Sequence, residues 1–189
     1  MEPYQNRARN DLNEFARTVQ ERMKERIGCD KIILDPVQIQ TIAGADAAYA
    51  GEYGIGVVVF LSYHSLELTA HVYAKRQVLF PYIPGLFAFR ELPLIMAAFE
   101  KIKKNPDLLF IDGHGYAHPR RFGYACHAGA VLGIPTIGIA KRPFTRQVKI
   151  PGKERGSYEE VVMDGEVTGI SLRTKRDTPP VYVSAGYQT

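Results

Sequence analysis

Apolar residues at Leu12, Phe15, Ala16, Val19, Met23 and Ile27 recur at three- and four-residue steps, which predicts an amphipathic helix over residues 5–27. Gly28 is its expected stop, and Asp35-Pro36 reads as a turn. The period then shortens. Residues 41–49 read as a strand with Asp46 set among small and apolar neighbours, and residues 50–54, with two glycines, as a hairpin loop. Residues 55–63 are β-branched and apolar throughout, as a central strand would be, and residues 66–78 read as a third strand. Three strands joined by tight turns predict an antiparallel meander.

Beyond the meander the pattern alternates. Pro81-Tyr82-Ile83-Pro84-Gly85 is a rigid loop. A helix follows, with Ile95, Ala98, Phe99 and Ile102 on one face and Pro93 in its first turn, ending near Lys104 before Asn105-Pro106. Residues 108–111 predict a strand, 122–132 a helix and 136–140 a strand. Residues 142–158 are polar and rich in Lys, Arg and Gly, and read as mobile. Residues 160–163 and 167–174 form a hairpin around Asp164-Gly165, and 181–184 a last strand. The order α-β-β-β-α-β-α-β-β-β-β predicts one α/β domain over residues 1–189. Its expected form is a ribonuclease H-like mixed β-sheet flanked by α-helices, with helices on both faces and the first and fourth strands side by side.

Composition narrows the class without naming it. A chain of 189 residues with 46% hydrophobic and 23% charged residues fits an ordinary globular domain. The 24 Lys and Arg against 20 Asp and Glu leave a net charge of +4, compatible with an anionic partner. Two cysteines, Cys29 and Cys126, without a CxxC or HxxxH pair, argue against zinc and fit a reducing compartment. Cys126, in an apolar helical stretch, reads as a buried structural thiol. The sequence has neither a signal-peptide pattern at residues 1–10 nor an apolar run near ~18 residues, so a cytoplasmic protein with no membrane partner is expected.

Two aspartates change the picture. Asp46 disfavours the strand that carries it and is costly if buried unpaired; a solvated edge or a salt bridge would also account for it. Asp112 ends the fourth strand, and pairing that strand with the first brings the two carboxylates together. Adjacent carboxylates raise each other's pKa unless a cation sits between them, and Mg²⁺ is the hard, oxygen-preferring cation for such a site. Glu91, between the proline loop and the following helix, is a third candidate, although a helix N-terminus favours Glu on its own account. His118 has the chemistry to shuttle a proton, steer a water or hold a phosphate, and Arg120, Arg121 and Lys141 are phosphate-contact candidates. In Pro81-Tyr82-Ile83-Pro84 an aromatic projects from a fixed backbone, as either a tight turn packed on the body or a wedge that unstacks a base step. Gly85 and Gly113 would let backbone approach a flipped base closely.

Together, four runs resemble the endonuclease V (deoxyinosine 3′ endonuclease) family: Ile42-Ala43-Gly44-Ala45-Asp46; Pro81 to Gly85 through Phe89-Arg90-Glu91; Asp112-Gly113-His114-Gly115 through His118-Pro119-Arg120-Arg121-Phe122-Gly123; and Ile134-Pro135-Thr136 through Ala140-Lys141. The resemblance implies a ribonuclease H-like fold, dependence on Mg²⁺ or Mn²⁺, and hydrolysis of DNA one nucleotide 3′ of deoxyinosine, leaving a 3′-hydroxyl and a 5′-phosphate. It implies metal carboxylates at Asp46, Glu91 and Asp112, and catalytic-site residues at His118 and Lys141. It further implies a wedge at Tyr82 within Pro81, Ile83 and Pro84, a base pocket near Gly85, Leu86, Phe87 and Gly113, and a phosphate-facing Arg120. Tyr187 stands where that family commonly has a histidine near the metal, Phe87 where leucine is common, and the family's C-terminal helix is expected to be absent. Inosine-specific cleavage of RNA and non-cleaving inosine binding remain the alternatives, and a monomer is expected.

Overall fold

The computed structural model describes residues 2–27 and 34–189. The expected helix stop at Gly28 and Cys29 lie outside the described residues. Helix α1 (Glu2–Ile27) precedes a 3-10 turn (Pro36–Gln38), which is capped by Asp35 accepting the Val37 N–H, and the meander β1 (Thr41–Ala50), β2 (Tyr53–Ser62) and β3 (Leu68–Gln77). Then come α2 (Phe87–Phe99), β4 (Leu108–Asp112), α3 (Tyr124–Leu132), β5 (Thr136–Ala140), β6 (Tyr158–Met163), β7 (Glu166–Leu172) and β8 (Val181–Ala185). All eight strands join one sheet in the order β3-β2-β1-β4-β5-β8-β7-β6. Only β1, β4 and β5 pair in parallel, so the mixed sheet has a parallel centre between antiparallel wings, as the element order predicts.

Strand alternation divides the sheet into two faces. Ala43 and Ala45 of β1, Val58 and Phe60 of β2, and Leu109 and Ile111 of β4 form one core with Leu92, Ile95 and Ala98 of α2 and Ala125 and Ala128 of α3. Both α2 and α3 therefore pack on the same face, and α1 packs behind α3. Among the described residues no helix covers the opposite face, contrary to the expectation of helices on both. That face is closed at one end by Ile39, Ile42 and Leu108 and opens at the other into a groove beside Asp46 and Asp112.

Helix α2 also departs from expectation. Pro93 is its seventh residue rather than part of its first turn, because Phe87, Ala88 and Leu92 extend the apolar stripe towards the N-terminus. Pro93 is on the exposed side, where water can satisfy the carbonyl it leaves unbonded. The helix stops at Phe99, and the tight bonds Lys101 N–H to Ala98 and Ile102 N–H to Phe99 end it before the polar Lys103-Lys104. In α1 the stripe is rotated: Ala16 and Gln20 are buried, whereas Phe15 is 66% exposed. Gln20 is tolerated inside because its amide donates to the carbonyls of Gly85 and Phe122. The expected mobile stretch, 142–158, is fastened by Arg173, which donates to the carbonyls of Pro151 and Gly152, and by Ser171, which donates to that of Lys149. Cys126 is fully buried, as its apolar surroundings predict.

Helix α2 sits close on the meander because β2 carries no side chain at Gly56, where the Leu94 backbone passes. A Cβ at Gly56 would stand 2.3 Å from the carbonyl oxygen of Leu94. Gly56→Ala is therefore expected to lift α2 and cost about 2 kcal/mol, seen as a fall of roughly 4–8 °C in Tm by calorimetry; an unchanged Tm would contradict this seating.

Candidate active site

The β1–β4 register pairs Ala45 with Ile111, both buried under the helices. The next residues, Asp46 and Asp112, therefore lie side by side and project from the opposite face. Asp46 is exposed, and its Oδ1 accepts the Ala47 N–H at 2.8 Å. Asp112 pairs in register with Ile139, and Lys141, just past β5, places its Nζ 2.5 Å from Asp112 Oδ2. The hydrogen bond and the charge of Asp112 hold the Lys141 ammonium above its usual range. The Lys141 side chain is 81% exposed, so the pair adds little to stability but keeps a cation beside the carboxylates.

Glu91 approaches from the helix side. It is 3% exposed, and its Oε1 accepts the Tyr49 hydroxyl at 2.9 Å. Burial pushes its pKa up to about 7; the charges of Asp46 and Asp112 add to the rise, and the Tyr49 bond and Arg90 oppose it. Tyr49 is in turn clamped by Arg90, whose guanidinium lies 4.5 Å from its ring centroid and donates to the Phe80 carbonyl. Among the described residues no three His, Cys, Asp or Glu side chains are gathered tightly enough to enclose a metal ion, since Glu91 is held by Tyr49 and Asp112 by Lys141. The donor chemistry nevertheless fits a hard dication: three carboxylates share one field, with the charges of Asp46 and Asp112 adding to the larger effect of burial on Glu91.

A separate cavity of about 260 Å³ lies under the loop before α2. Of the expected residues, Tyr82, Ile83, Pro84, Gly85, Phe87, Gly113 and His118 line it; Pro81, Leu86 and Arg120 do not. Leu86 is 1% exposed and packs on Ala16 of α1 with Ile83, anchoring the loop from behind. Tyr82 is 62% exposed, with its ring edge-on to Phe87, which in turn meets Tyr124 edge-on. Gly85 needs to be glycine: its φ is +78°, and a Cβ there would meet the Arg120 guanidinium at 3.0 Å.

Two arginines are placed differently from expectation. Arg120 donates to the Gly85 carbonyl at 2.5 Å and to Gln20 Oε1 at 2.7 Å, so it braces the loop. Arg121 is 8% exposed and is spent on Glu166, Asp164 and the carbonyls of Met163 and His118, which ties the β6–β7 hairpin to this region. His118 belongs to the cavity wall, not to the carboxylate groove. Its Nδ1 accepts the Arg120 N–H, and burial, with Arg120 and His114 nearby, pushes its pKa down to about 3, so the ring is neutral. Tyr187 is bonded through its backbone to Thr136, at the end of β5 remote from Lys141, so it does not occupy a position beside the carboxylates.

The sequence reading missed Tyr49, Gln20, Tyr124 and Phe144, and gave His114 no role. Tyr124 lines the cavity, yet its buried hydroxyl has no partner, and burial and then the charge of Glu91 push its pKa well above the usual range. It therefore connects the cavity electrostatically to the carboxylates. Phe144 lies against the rings of both His114 and His118. An aromatic in an otherwise polar segment was the one legible signal for it; the partners of Gln20, 65 and 102 residues away, left none.

A mixed sheet with a β1-β4-β5 parallel centre, adjacent aspartates on β1 and β4, and a third acid from a flanking helix define a hydrolase of the ribonuclease H-like class. The family model described as Endonuclease V matches residues 21–189. An endonuclease V from Nocardia farcinica is 47% identical over 154 residues, covering 80% of this chain and 68% of the relative. The crystal structure of an endonuclease V from Streptomyces avermitilis superposes with a TM-score of 0.85 at 39% identity, covering 93% of this chain and 78% of that one. A crystal structure of Ciona intestinalis endonuclease V, in complex with a 24mer DNA containing an inosine followed by a ribo-adenosine, shares the fold at 23% identity and a TM-score of 0.79, covering 95% and 84%. The chain belongs to the endonuclease V family and is thus an endonuclease, a hydrolase acting on DNA. No helix among the described residues is long and apolar enough to cross a membrane.

The raised pKa of Glu91 has a stability consequence with a definite sign. Folding favours its protonated form, so its contribution is present at low pH and is lost as pH rises from about 4.5 through about 7. In EDTA, Glu91→Gln is expected to be more stable than wild type at pH 8 by about 3 kcal/mol, with the difference vanishing near pH 4. Denaturant melts at the two pH values check this; parallel pH profiles would contradict it.

Proposed function

We propose that this protein is a repair endonuclease that recognises deoxyinosine, the product of adenine deamination, and hydrolyses the phosphodiester one nucleotide 3′ of it, leaving a 3′-hydroxyl and a 5′-phosphate. The observation that carries this reading is Asp46 and Asp112 on neighbouring parallel strands, facing one side, with a nucleobase-scale cavity close by. Family membership supports it, and so does the inosine-containing DNA bound by the Ciona relative.

In this reading Asp46, Glu91 and Asp112 hold Mg²⁺, for which Mn²⁺ substitutes. When bound, the ion supplies Lewis acidity at the phosphoryl oxygen and lowers the pKa of a water. Lys141, exposed at the groove edge, neutralises charge developing on the phosphate. Tyr82, at the cavity mouth, takes the place of the flipped base in the stack, while Phe87 and Tyr124 wall the base and Gly113 lets backbone approach it. His118 acts as a positioning residue: neutral at physiological pH, it cannot serve there as an imidazolium acid, and it holds the Gly85 loop together with Arg120. All of these groups come from one chain, so a monomer suffices.

A labelled duplex with one deoxyinosine, incubated with Mg²⁺, is expected to yield a single cut one nucleotide 3′ of the lesion; an inosine-containing RNA run in parallel reads the sugar preference. Asp46→Ala and Asp112→Ala are each expected to abolish cutting while retaining lesion binding in Ca²⁺. Lys141→Ala is expected to slow cutting about 100-fold or more. Mg²⁺-dependent cleavage by either aspartate variant would contradict the assignment.

A further inference from the structure

Arg120 and Arg121 are committed to protein partners, so cations that meet a nucleic-acid backbone at this site come from elsewhere. The chain leaving β5 supplies them. Residues Lys141-Arg142-Pro143-Phe144-Thr145-Arg146 pass from the carboxylate groove, which Lys141 lines, to the cavity, which Phe144 lines. Lys141 is bonded to Asp112, and the Phe144 ring lies 4.6 Å from that of His114 and 5.0 Å from that of His118. Between these two points His114 Nε2 donates to the Arg142 carbonyl at 2.8 Å. Pro143 has a fixed φ and biases Arg142 towards an extended backbone. Beyond the cavity the chain runs beside β6, where the Ser171 hydroxyl donates to the Lys149 carbonyl. This strap is therefore held by its backbone, by Lys141 and by one aromatic ring, and not by its two arginines.

Arg142 and Arg146 are both exposed, and among the described residues neither side chain has a hydrogen bond, an ion pair or a ring contact. Other exposed arginines are paired: Arg76 with Glu100, and Arg176 with Glu154. A lone surface cation needs no purpose, being well solvated. Two of them on a fastened backbone, one on each side of an aromatic that lines the cavity, form an arrangement suited to a chain of phosphates. The separation sets the scale. Three residue steps, from Lys141 to Phe144, span at most about 10 Å, so a strand joining a base in the cavity to a phosphate at Lys141 passes close to Arg142.

We propose that Arg142 and Arg146 grip the sugar-phosphate backbone on the two sides of the nucleotide whose base enters the cavity, Arg142 on the 3′ side and Arg146 on the 5′ side. This rests on the deoxyinosine reading and adds the contacts that set the direction of the strand. With the cut on the 3′ side of the base and the carboxylates beside Lys141, the strand runs 5′ to 3′ past Arg146, Phe144, Arg142 and then Lys141. The planar guanidinium fork suits a phosphate at each place. The contacts carry no sequence information; they hold the register between base and cut.

The test is equilibrium binding in Ca²⁺ to duplexes with one deoxyinosine, in which a single phosphate next to the lesion, on its 3′ or its 5′ side, is replaced by an uncharged methylphosphonate. Wild type is expected to lose roughly 5- to 10-fold in affinity from either replacement. Arg142→Gln is expected to bind the unmodified duplex that much more weakly, to lose nothing further when the 3′ phosphate is neutralised, and still to lose the full factor at the 5′ phosphate. Arg146→Gln is expected to show the reverse. On an undamaged duplex, each variant is expected to reduce the slope of log Kd against log salt by about 0.9. Lys103→Gln, an equal change of charge beyond the end of α2 remote from the cavity, is expected to leave it unchanged. Thermal melts establish that the variants are folded. Losses that simply add for an arginine and its assigned phosphate overturn the proposal, as does a slope change shared by Lys103→Gln, which would make the effect one of net charge. A wild type that binds deoxyinosine no better than deoxyadenosine overturns the deoxyinosine reading instead, and the salt slopes then decide the strap by themselves.

Discussion

The pairing of β1 with β4 is the constraint on which the rest of the site depends. Ala43, Ala45, Leu109 and Ile111 must face α2 and α3 to bury the core, and strand alternation then forces Asp46 and Asp112 out together on the other face. Slipping either strand by one residue would bury a carboxylate and expose the core, so the register is held by apolar packing and the charges follow. The result is two like charges side by side. Lys141, just past the next strand in the parallel row, offsets one of them, and Glu91 on α2 registers both in its raised pKa. Hydrophobic burial thus holds in place an electrostatic arrangement that is unfavourable by itself.

Helix α2 joins this acidic centre to the cavity. Phe87 and Ala88, in its first turn, wall the cavity, and Glu91, one turn further on, reaches Tyr49 and the field of the aspartates. Because the helix sits directly on Gly56, its position relative to β1 and β2 is fixed by backbone contact as well as by the packed side chains of the core. The loop before α2 is held just as firmly from the other side, by Arg120 and Gln20 on the Gly85 carbonyl and by Leu86 against α1. Cavity and carboxylates are therefore held in one fixed arrangement by α2 and the loop before it.

Three residues whose contacts the sequence did not reveal share a feature. Arg120, Arg121 and His118 stand next to one another and near Asp112 in the chain, and proximity of that kind suggested a common role at phosphate. In the fold, each is a buried or half-buried group whose partners come from elsewhere: Gly85 and Gln20 for Arg120, Glu166 and Asp164 for Arg121, and the Gly85 loop for His118. Phe15 failed for the opposite reason. Its place in a periodic stripe promised burial, but Gln20, once its amide is satisfied, takes the inward position.

The sequence by itself determined the order of the α-helices and β-strands and the adjacency of β1 and β4, and it singled out Asp46 and Asp112, because hydrophobic period, turn residues and a polar residue inside an apolar strand are local signals. Only the tertiary structure decided which cations face outward, that His118 lines the cavity, that Tyr187 lies at the far end of β5 and that the His114 Nδ1 is buried without a hydrogen-bond partner. Those outcomes depend on hydrogen-bond partners brought together by folding, such as Arg120 with Gln20 across 100 residues, and no local pattern encodes who will be there to accept or donate.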